Sequence, residues 1–307
     1  MRTSLTAWVT PLVLLGPVTA ALLQSPAPPK FDPALIQKQK EQLKSHLDKV
    51  KITPVTVVET PHFLLASTLE AGKLRAMQTP LEKIVPVARS ALALEAGKMP
   101  WTGKLAICYL PEPRDFRTFV REVLREHPER VHYQFNSEAP LLVTSGQAIG
   151  AVTEADRQRI ILTQVAEAFL RGQYPRSQFP AWLTGGFGRV CLLRAEGLKS
   201  PRYTAYRKQV LQLIRENRLK PSDLLGEELP ERAEALANSF VEFLAFGPES
   251  DKFPTLLSSF RPPDDPQATS AAAVLENLGL TGSLFEDRWR NWFLSKTPSP
   301  KKEPIRK

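Results

Sequence analysis

Histidine and cysteine are scarce in this chain of 307 residues. The histidines are His46, His62, His127 and His132. A catalytic zinc site needs three protein ligands, and after residue 132 there is no imidazole to supply one. The only cysteines, Cys108 and Cys191, exclude a disulfide-rich scaffold and a zinc ribbon. They either pair with each other in an oxidising compartment or remain as two buried thiols.

Several catalytic and nucleic-acid-binding motifs are also absent. The chain has no G-x-S-x-G elbow, no P-loop and no G-x-G-x-x-G fingerprint. The glycine-rich TGGFG at residues 184–188 follows no predicted strand, and we interpret it as a place of close helix packing. The net charge is +9, and residues 296–307 carry five Lys or Arg against one Glu. We predict that this segment is a basic disordered tail, and we expect no nucleic-acid partner.

A long apolar run occurs only at the N-terminus. Arg2 precedes an apolar stretch over residues 5–15, and small residues follow at 18–21. This pattern is typical of a secretory signal peptide over residues 1–21 and predicts export to the periplasm or the extracellular space. An uncleaved anchor is the alternative, although the run is short for a span of about 20 residues. We expect no stable membrane span after cleavage.

The remaining chain predicts an α+β fold, with a small N-terminal mixed sheet and a mainly helical C-terminal half. Residues 22–53 read as a Pro-rich linker and a surface helix. Residues 54–152 alternate strand and helix patterns and form a mixed α/β subdomain. Residues 153–295 are helical almost throughout and form a second subdomain.

Strand patterns occur at three places in the mixed subdomain. Residues 54–60 and 62–68 are β-rich and separated by a proline, which predicts a hairpin. Residues 103–110 are apolar on both faces, so this strand should be buried. Residues 130–135 and 140–145 predict a second strand pair.

Helical periodicity is strongest over residues 154–173. Its apolar stripe consists of Ile161, Val165, Ala168 and Phe169. An earlier helical stretch, over residues 69–94, should be interrupted at Pro80 and Pro86. Later helices are predicted over residues 181–197, 203–217, 231–247, 268–279 and 283–295.

The order of these segments, together with PAWLTGG at residues 180–186, resembles the bacterial peptidase MA-like family. These are zinc metallopeptidases of the gluzincin, thermolysin-like type. The resemblance extends over residues 54–295, and PAWLTGG is its most specific part. In that family a long helix carries HExxH, and a P-x-W-L-x-E-G segment follows it. The two histidines bind Zn²⁺ from one helical face, the first Glu acts as general base, and the second Glu is the third ligand.

The alignment on PAWLTGG implies that all four functional positions have changed. The first ligand, general base, second ligand and third ligand fall on Gln164, Val165, Ala168 and Gly185. Gln is a poor zinc ligand, and the other three side chains offer no donor. The resemblance therefore implies the fold without its zinc site, and we expect no metal and no cofactor. A different site, built on His127 and His132 with nearby carboxylates, is a weaker alternative to packing or surface histidines.

The sequence thus predicts an exported pseudopeptidase that has kept a binding cleft. Its ligand would be a peptide, a protein or an anionic cell-envelope component. One alternative is a structural or interaction protein whose cleft is filled, and another is a hydrolase with a metal-free mechanism. The predicted cleft lining is Gln164, Glu167, Trp182, Thr184 and Gly186.

Overall fold

The structure is a computed structural model that describes residues 31–295, apart from residues 96, 130, 136–138, 148–152, 217–219, 226–232, 263, 266 and 269. The predicted signal peptide, most of the Pro-rich linker and the basic tail lie outside the described residues. Within the described part of the chain, no helix is both long enough and apolar enough to span a bilayer.

A five-stranded mixed sheet organises the N-terminal half. The strand order is β1-β2-β3-β5-β4, with a parallel centre of β2, β3 and β5 and an antiparallel strand at each edge. The predicted hairpin, the buried strand and the second strand pair are confirmed. The strands are β1 (Thr56–Glu59), β2 (Phe63–Ser67), β3 (Leu105–Tyr109), β4 (Val131–Gln134) and β5 (Leu141–Thr144).

The two faces of the sheet enter two separate cores. Leu64, Ala66 and Cys108 belong to a smaller core with α1 (Pro33–Lys49) and α4 (Pro113–Phe119), and a short π-helix (Val120–Leu124) continues α4. The opposite face joins the main core beneath the long central helix. Because both faces are covered, the inner strands are apolar on both sides.

The helical stretch over residues 69–94 is not interrupted at the prolines where the sequence predicts. The chain forms α2 (Ala71–Ala76) and α3 (Gln78–Ala91), and the break falls at Met77. Pro80 lies in the first turn of α3, where its missing N–H removes no intrahelical bond. The predicted interruption at Pro86 is wrong, because this residue lies inside α3. Packing of the buried α3 face against the central helices outweighs the lost hydrogen bond.

The C-terminal half is a helical bundle, as predicted, and the α+β fold class is confirmed. The central helix α5 begins with a capping box between Thr153 and Asp156. One short helix, α9, was not predicted. The helices are α5 (Glu154–Gln173), α6 (Ala181–Glu196), α7 (Pro201–Glu216), α8 (Ala233–Phe246), α9 (Phe253–Ser259), α10 (Ala271–Asn277) and α11 (Ser283–Leu294), with a 3₁₀ turn at Pro221–Leu225.

The two cysteines are free and buried in different cores. Cys108 lies in the smaller core, whereas Cys191 lies in the main core. Of the two alternatives left open by the sequence, the structure has two buried thiols.

Candidate functional site

The apolar stripe of α5 faces the main core. Ile161, Val165, Ala168 and Phe169 are all 0% exposed, as the periodicity predicts. Two of these, Val165 and Ala168, are the positions that the resemblance equates with the general base and the second ligand. Neither therefore faces solvent or a ligand.

A solvent-open cavity of about 680 Å³ runs along the neighbouring face of α5. The other walls come from α6, α7, α8, Val131 of β4 and Gln147. The α5 residues that line it recur every three or four positions, as expected for one helical face. They are Asp156, Arg159, Ile160, Thr163, Gln164 and Glu167.

The structure brings only part of the predicted lining to this cavity. Gln164 and Glu167 line it, whereas Trp182, Thr184 and Gly186 lie in the packing between helices. The Trp182 ring lies 5.3 Å from that of Phe240. The Thr184 hydroxyl donates to carbonyl oxygens of its own helix and its N-cap. These residues were predicted in the lining because they adjoin the aligned motif, but Trp182 and Gly186 lie where α6 packs on α8.

Gly186 shows how closely α6 approaches α8. A β-carbon added there would lie 2.9 Å from Cγ2 of Val241 and 3.2 Å from the carbonyl oxygen of Ala237. The third-ligand position, Gly185, points elsewhere and would place its β-carbon 3.5 Å from Nη1 of Arg189. Arg189 lines the cavity, so Gly185 lies near its edge.

Gln164 connects α5 to the end of the sheet. Its Oε1 accepts a hydrogen bond of 2.6 Å from the Thr144 hydroxyl at the end of β5. The same hydroxyl oxygen accepts from the backbone N–H of Gly146 at 2.9 Å. The side chain at the first-ligand position is therefore fixed by a neutral hydrogen-bond chain.

Glu167 is a partly exposed carboxyl in the cavity wall. The Tyr133 hydroxyl donates to its Oε2 at 3.1 Å, and the guanidinium of Arg171 lies 5.1 Å from the centre of the Tyr133 ring. Burial raises the pKa of Glu167, although the Tyr133 hydrogen bond and the positive charges of Arg171 and Arg189 act against this rise. The result is a carboxyl that is costly to ionise and is held in one orientation.

Three arginines of the cavity wall each have a carboxylate partner. Arg159 pairs with Asp156 on α5. Arg189 pairs with Glu234 at 3.2 Å, and Arg202 pairs with Glu196, a residue outside the lining.

A buried polar cluster supports the wall formed by α7 and α8. The Glu242 carboxylate is 0% exposed and accepts hydrogen bonds from Arg194 at 2.7 Å, Tyr203 at 2.7 Å and Tyr206 at 2.9 Å. Tyr206 also lines the cavity. The sequence prediction did not include this cluster. Its signal in the sequence is Glu242, which lies inside the apolar run over residues 239–246 of α8. A charge buried in such a run requires partners of this kind.

Among the residues that the structure describes, no group of three or more His, Cys, Asp or Glu side chains could hold a metal ion. His132 uses both ring nitrogens within the fold: Nδ1 lies 2.7 Å from a Glu126 oxygen, and Nε2 accepts from the N–H of Glu129 at 3.0 Å. His127 is exposed. The structure thus favours packing and surface histidines over the alternative metal site.

A scan against models of known protein families and a search of curated proteins both find no match. The relationship to the gluzincins therefore remains a prediction, which depends on the order of the segments and on PAWLTGG.

Proposed function

We propose that this protein is an exported, non-catalytic relative of the gluzincin peptidases that binds an extended peptide in the cavity beside α5. The observation that carries the proposal is the cavity itself, which lies against Gln164 and Glu167 and remains open. A volume of about 680 Å³ is within the range of small-molecule and peptide sites. The open cavity favours ligand binding over a purely structural role with a filled cleft.

The position of β4 supports a peptide as the ligand. In the described part of the chain β4 has a strand neighbour, β5, on one side only, and its residue Val131 lines the cavity. An edge strand presents unpaired N–H and C=O groups, with which an extended peptide can pair. The adjoining cavity can then receive side chains of that peptide.

The chemistry of the cavity wall supports binding rather than hydrolysis. A metal-free hydrolase needs a nucleophile activated by a base. The Thr163 hydroxyl donates to the carbonyl of Arg159 at 2.9 Å, so it is engaged within its own helix. Glu167 does form a pair with Tyr133, but burial raises the pKa of this tyrosine well above its ordinary value. Tyr133 is therefore not a nucleophile at neutral pH.

The test compares two tryptophan variants of α7. Ala205 is exposed and lines the cavity, whereas its exposed neighbour Thr204 does not line it. Ala205→Trp should occupy the cavity and abolish retention of peptides from a mixture of blocked hexapeptides, measured by mass spectrometry. Thr204→Trp is the matched control and should retain the same peptides as wild type.

Three results would contradict the proposal. They are no retention by the wild-type chain, equal retention by Ala205→Trp, and stoichiometric zinc together with chelator-sensitive peptide cleavage.

A further inference from the structure

We infer that Glu167 is the charged recognition group of this cavity and that the bound peptide presents a lysine or arginine side chain to it. This inference rests on the proposed function, because it names the class of ligand for the same site.

The distribution of ion pairs in the wall distinguishes Glu167 from the other charged groups. The cationic side chains Arg159, Arg189 and Arg202 each have a carboxylate partner. Glu167 makes no direct ion pair among the described residues and accepts only the neutral Tyr133 hydroxyl, while the positive charges of Arg171 and Arg189 act on it from farther away. Glu167 is therefore the carboxyl of the wall without a direct cationic partner, and a cationic ligand group can fill that place.

The geometry around Glu167 leaves one acceptor available. Tyr133 holds Oε2 at 3.1 Å, whereas Oε1 has no hydrogen-bond partner within the described residues. A lysine ammonium or an arginine guanidinium would donate to this oxygen in a charge-assisted hydrogen bond. Such a partner would also lower the cost of ionising a desolvated carboxyl.

The facing helix provides space for the Glu167 side chain. A β-carbon added at Gly188 of α6 would lie 2.8 Å from Cγ of Glu167, so any larger residue there would displace the carboxyl. Glycine at this position allows Glu167 to lie between α5 and α6 while remaining at the cavity wall.

A second acceptor without a donor lies in the same wall. The Oδ1 atom of Asn238 on α8 is buried and has no hydrogen-bond partner in the structure. A buried acceptor without a donor is costly. Oε1 of Glu167 and Oδ1 of Asn238 are thus two acceptors of this wall that the N–H donors of a ligand could satisfy.

The test uses blocked pentapeptides Ac-Ala-Ala-X-Ala-Ala-NH₂, with X as lysine, arginine, norleucine or glutamate. Binding to the purified full chain is measured by titration calorimetry for wild type, Glu167→Gln and Glu276→Gln. Glu276 is the matched control, because it is an exposed carboxylate of α10 that does not line the cavity. Melting temperatures establish that each variant is folded.

In wild type, the lysine and arginine peptides should bind about tenfold or more tightly than the norleucine peptide. Glu167→Gln should remove this preference and leave norleucine binding unchanged, whereas Glu276→Gln should keep the preference. Should Glu167→Gln fail to fold, equal binding of the lysine and norleucine peptides by wild type would still overturn the inference.

The inference is overturned if norleucine binds as tightly as lysine, if glutamate binds most tightly, or if Glu276→Gln loses the preference as fully as Glu167→Gln. In each of these cases a bound peptide leaves the proposed function intact. If none of the peptides binds, the proposed function fails together with the inference.

Discussion

Alanine substitutions at two glycines of α6 test the packing that forms the cavity wall. A β-carbon at Gly188 would lie 2.7 Å from the carbonyl oxygen of Thr163 and 2.8 Å from Cγ of Glu167, both on α5. One at Gly185 would meet only Nη1 of Arg189, at 3.5 Å. Both glycines lie inside the same helix, so the two substitutions differ in what the added methyl group contacts.

The expected magnitudes follow from two opposing effects. Replacing Gly by Ala inside a helix stabilises the fold by about 0.5–1 kcal/mol, because Ala loses less backbone entropy. Gly185→Ala should show this gain alone. At Gly188 the same gain is opposed by overpacking, which costs about 1–3 kcal/mol. The obstructing Thr163 oxygen is backbone, so rotation of a side chain cannot relieve the contact.

Helix propensity cancels when the two variants are compared, so their difference measures the overpacking cost. A gap of about 2 kcal/mol corresponds to a difference of about 4–8 °C in melting temperature. Thermal unfolding followed by circular dichroism measures it. Gly186→Ala should fall between the two, because the first atom it meets, Cγ2 of Val241, can shift. If Gly188→Ala melts at or above Gly185→Ala, the close approach of α5 and α6 is wrong.

Three further predictions concern other buried groups. Ala168→His places an imidazole in a fully buried position and should destabilise the fold by more than about 3 kcal/mol. Gln164→His places its imidazole at the cavity and should destabilise the fold by only about 1 kcal/mol. Equal melting temperatures of the two histidine variants would contradict the burial of Ala168 and the position of Gln164 at the cavity. Because burial raises the pKa of Glu167, the folded state binds its proton more tightly than the unfolded state, and wild type loses stability as the pH rises through that pKa. The melting temperature of Glu167→Gln relative to wild type should therefore be higher at about pH 7 than at about pH 4, and a difference independent of pH would refute this. The thiols of Cys108 and Cys191 are buried, and burial raises their pKa values. A thiol reagent should therefore modify neither cysteine in the native protein and both after unfolding without reductant. If no thiol reacts after unfolding, the two cysteines form a disulfide instead.

Hydrophobic periodicity predicts most of the helices and strands, because burial of one face determines both the sequence pattern and the element that forms. The strand predicted at residues 103–110 is apolar on both faces, and both faces are covered in the structure. The apolar stripe of α5 is likewise covered by the main core. Pro86 misled the prediction because a local rule was applied where tertiary packing of α3 prevails. The missed helix α9 has only seven residues, too few to show a helical period.

The cavity was harder to predict, because its walls are far apart in the sequence. Gln164 and Glu167 were identified from their place on α5, but Arg202 and Tyr206 come from a helix that carries no recognisable motif. A hydrophobic pattern tells which face of a helix is buried and does not tell which polar faces meet across a gap. Trp182 is predicted in the lining only because it adjoins the aligned motif, whereas its ring enters the packing against α8.

The faces of α5 also explain how a peptidase scaffold would lose its chemistry and keep a cleft. With 3.6 residues per turn, successive residues point about 100° apart, so Val165 and Gln164 face different surroundings. On the proposed relationship, the base and second-ligand positions now carry Val165 and Ala168, which fill the core. The open cavity instead follows the face that carries Asp156, Thr163 and Glu167, with Gln164 at its margin. Val165→Glu and Ala168→His would therefore insert polar groups into packed core beside the cavity, so substitution of the four motif positions would not be enough to build a zinc site without repacking α5.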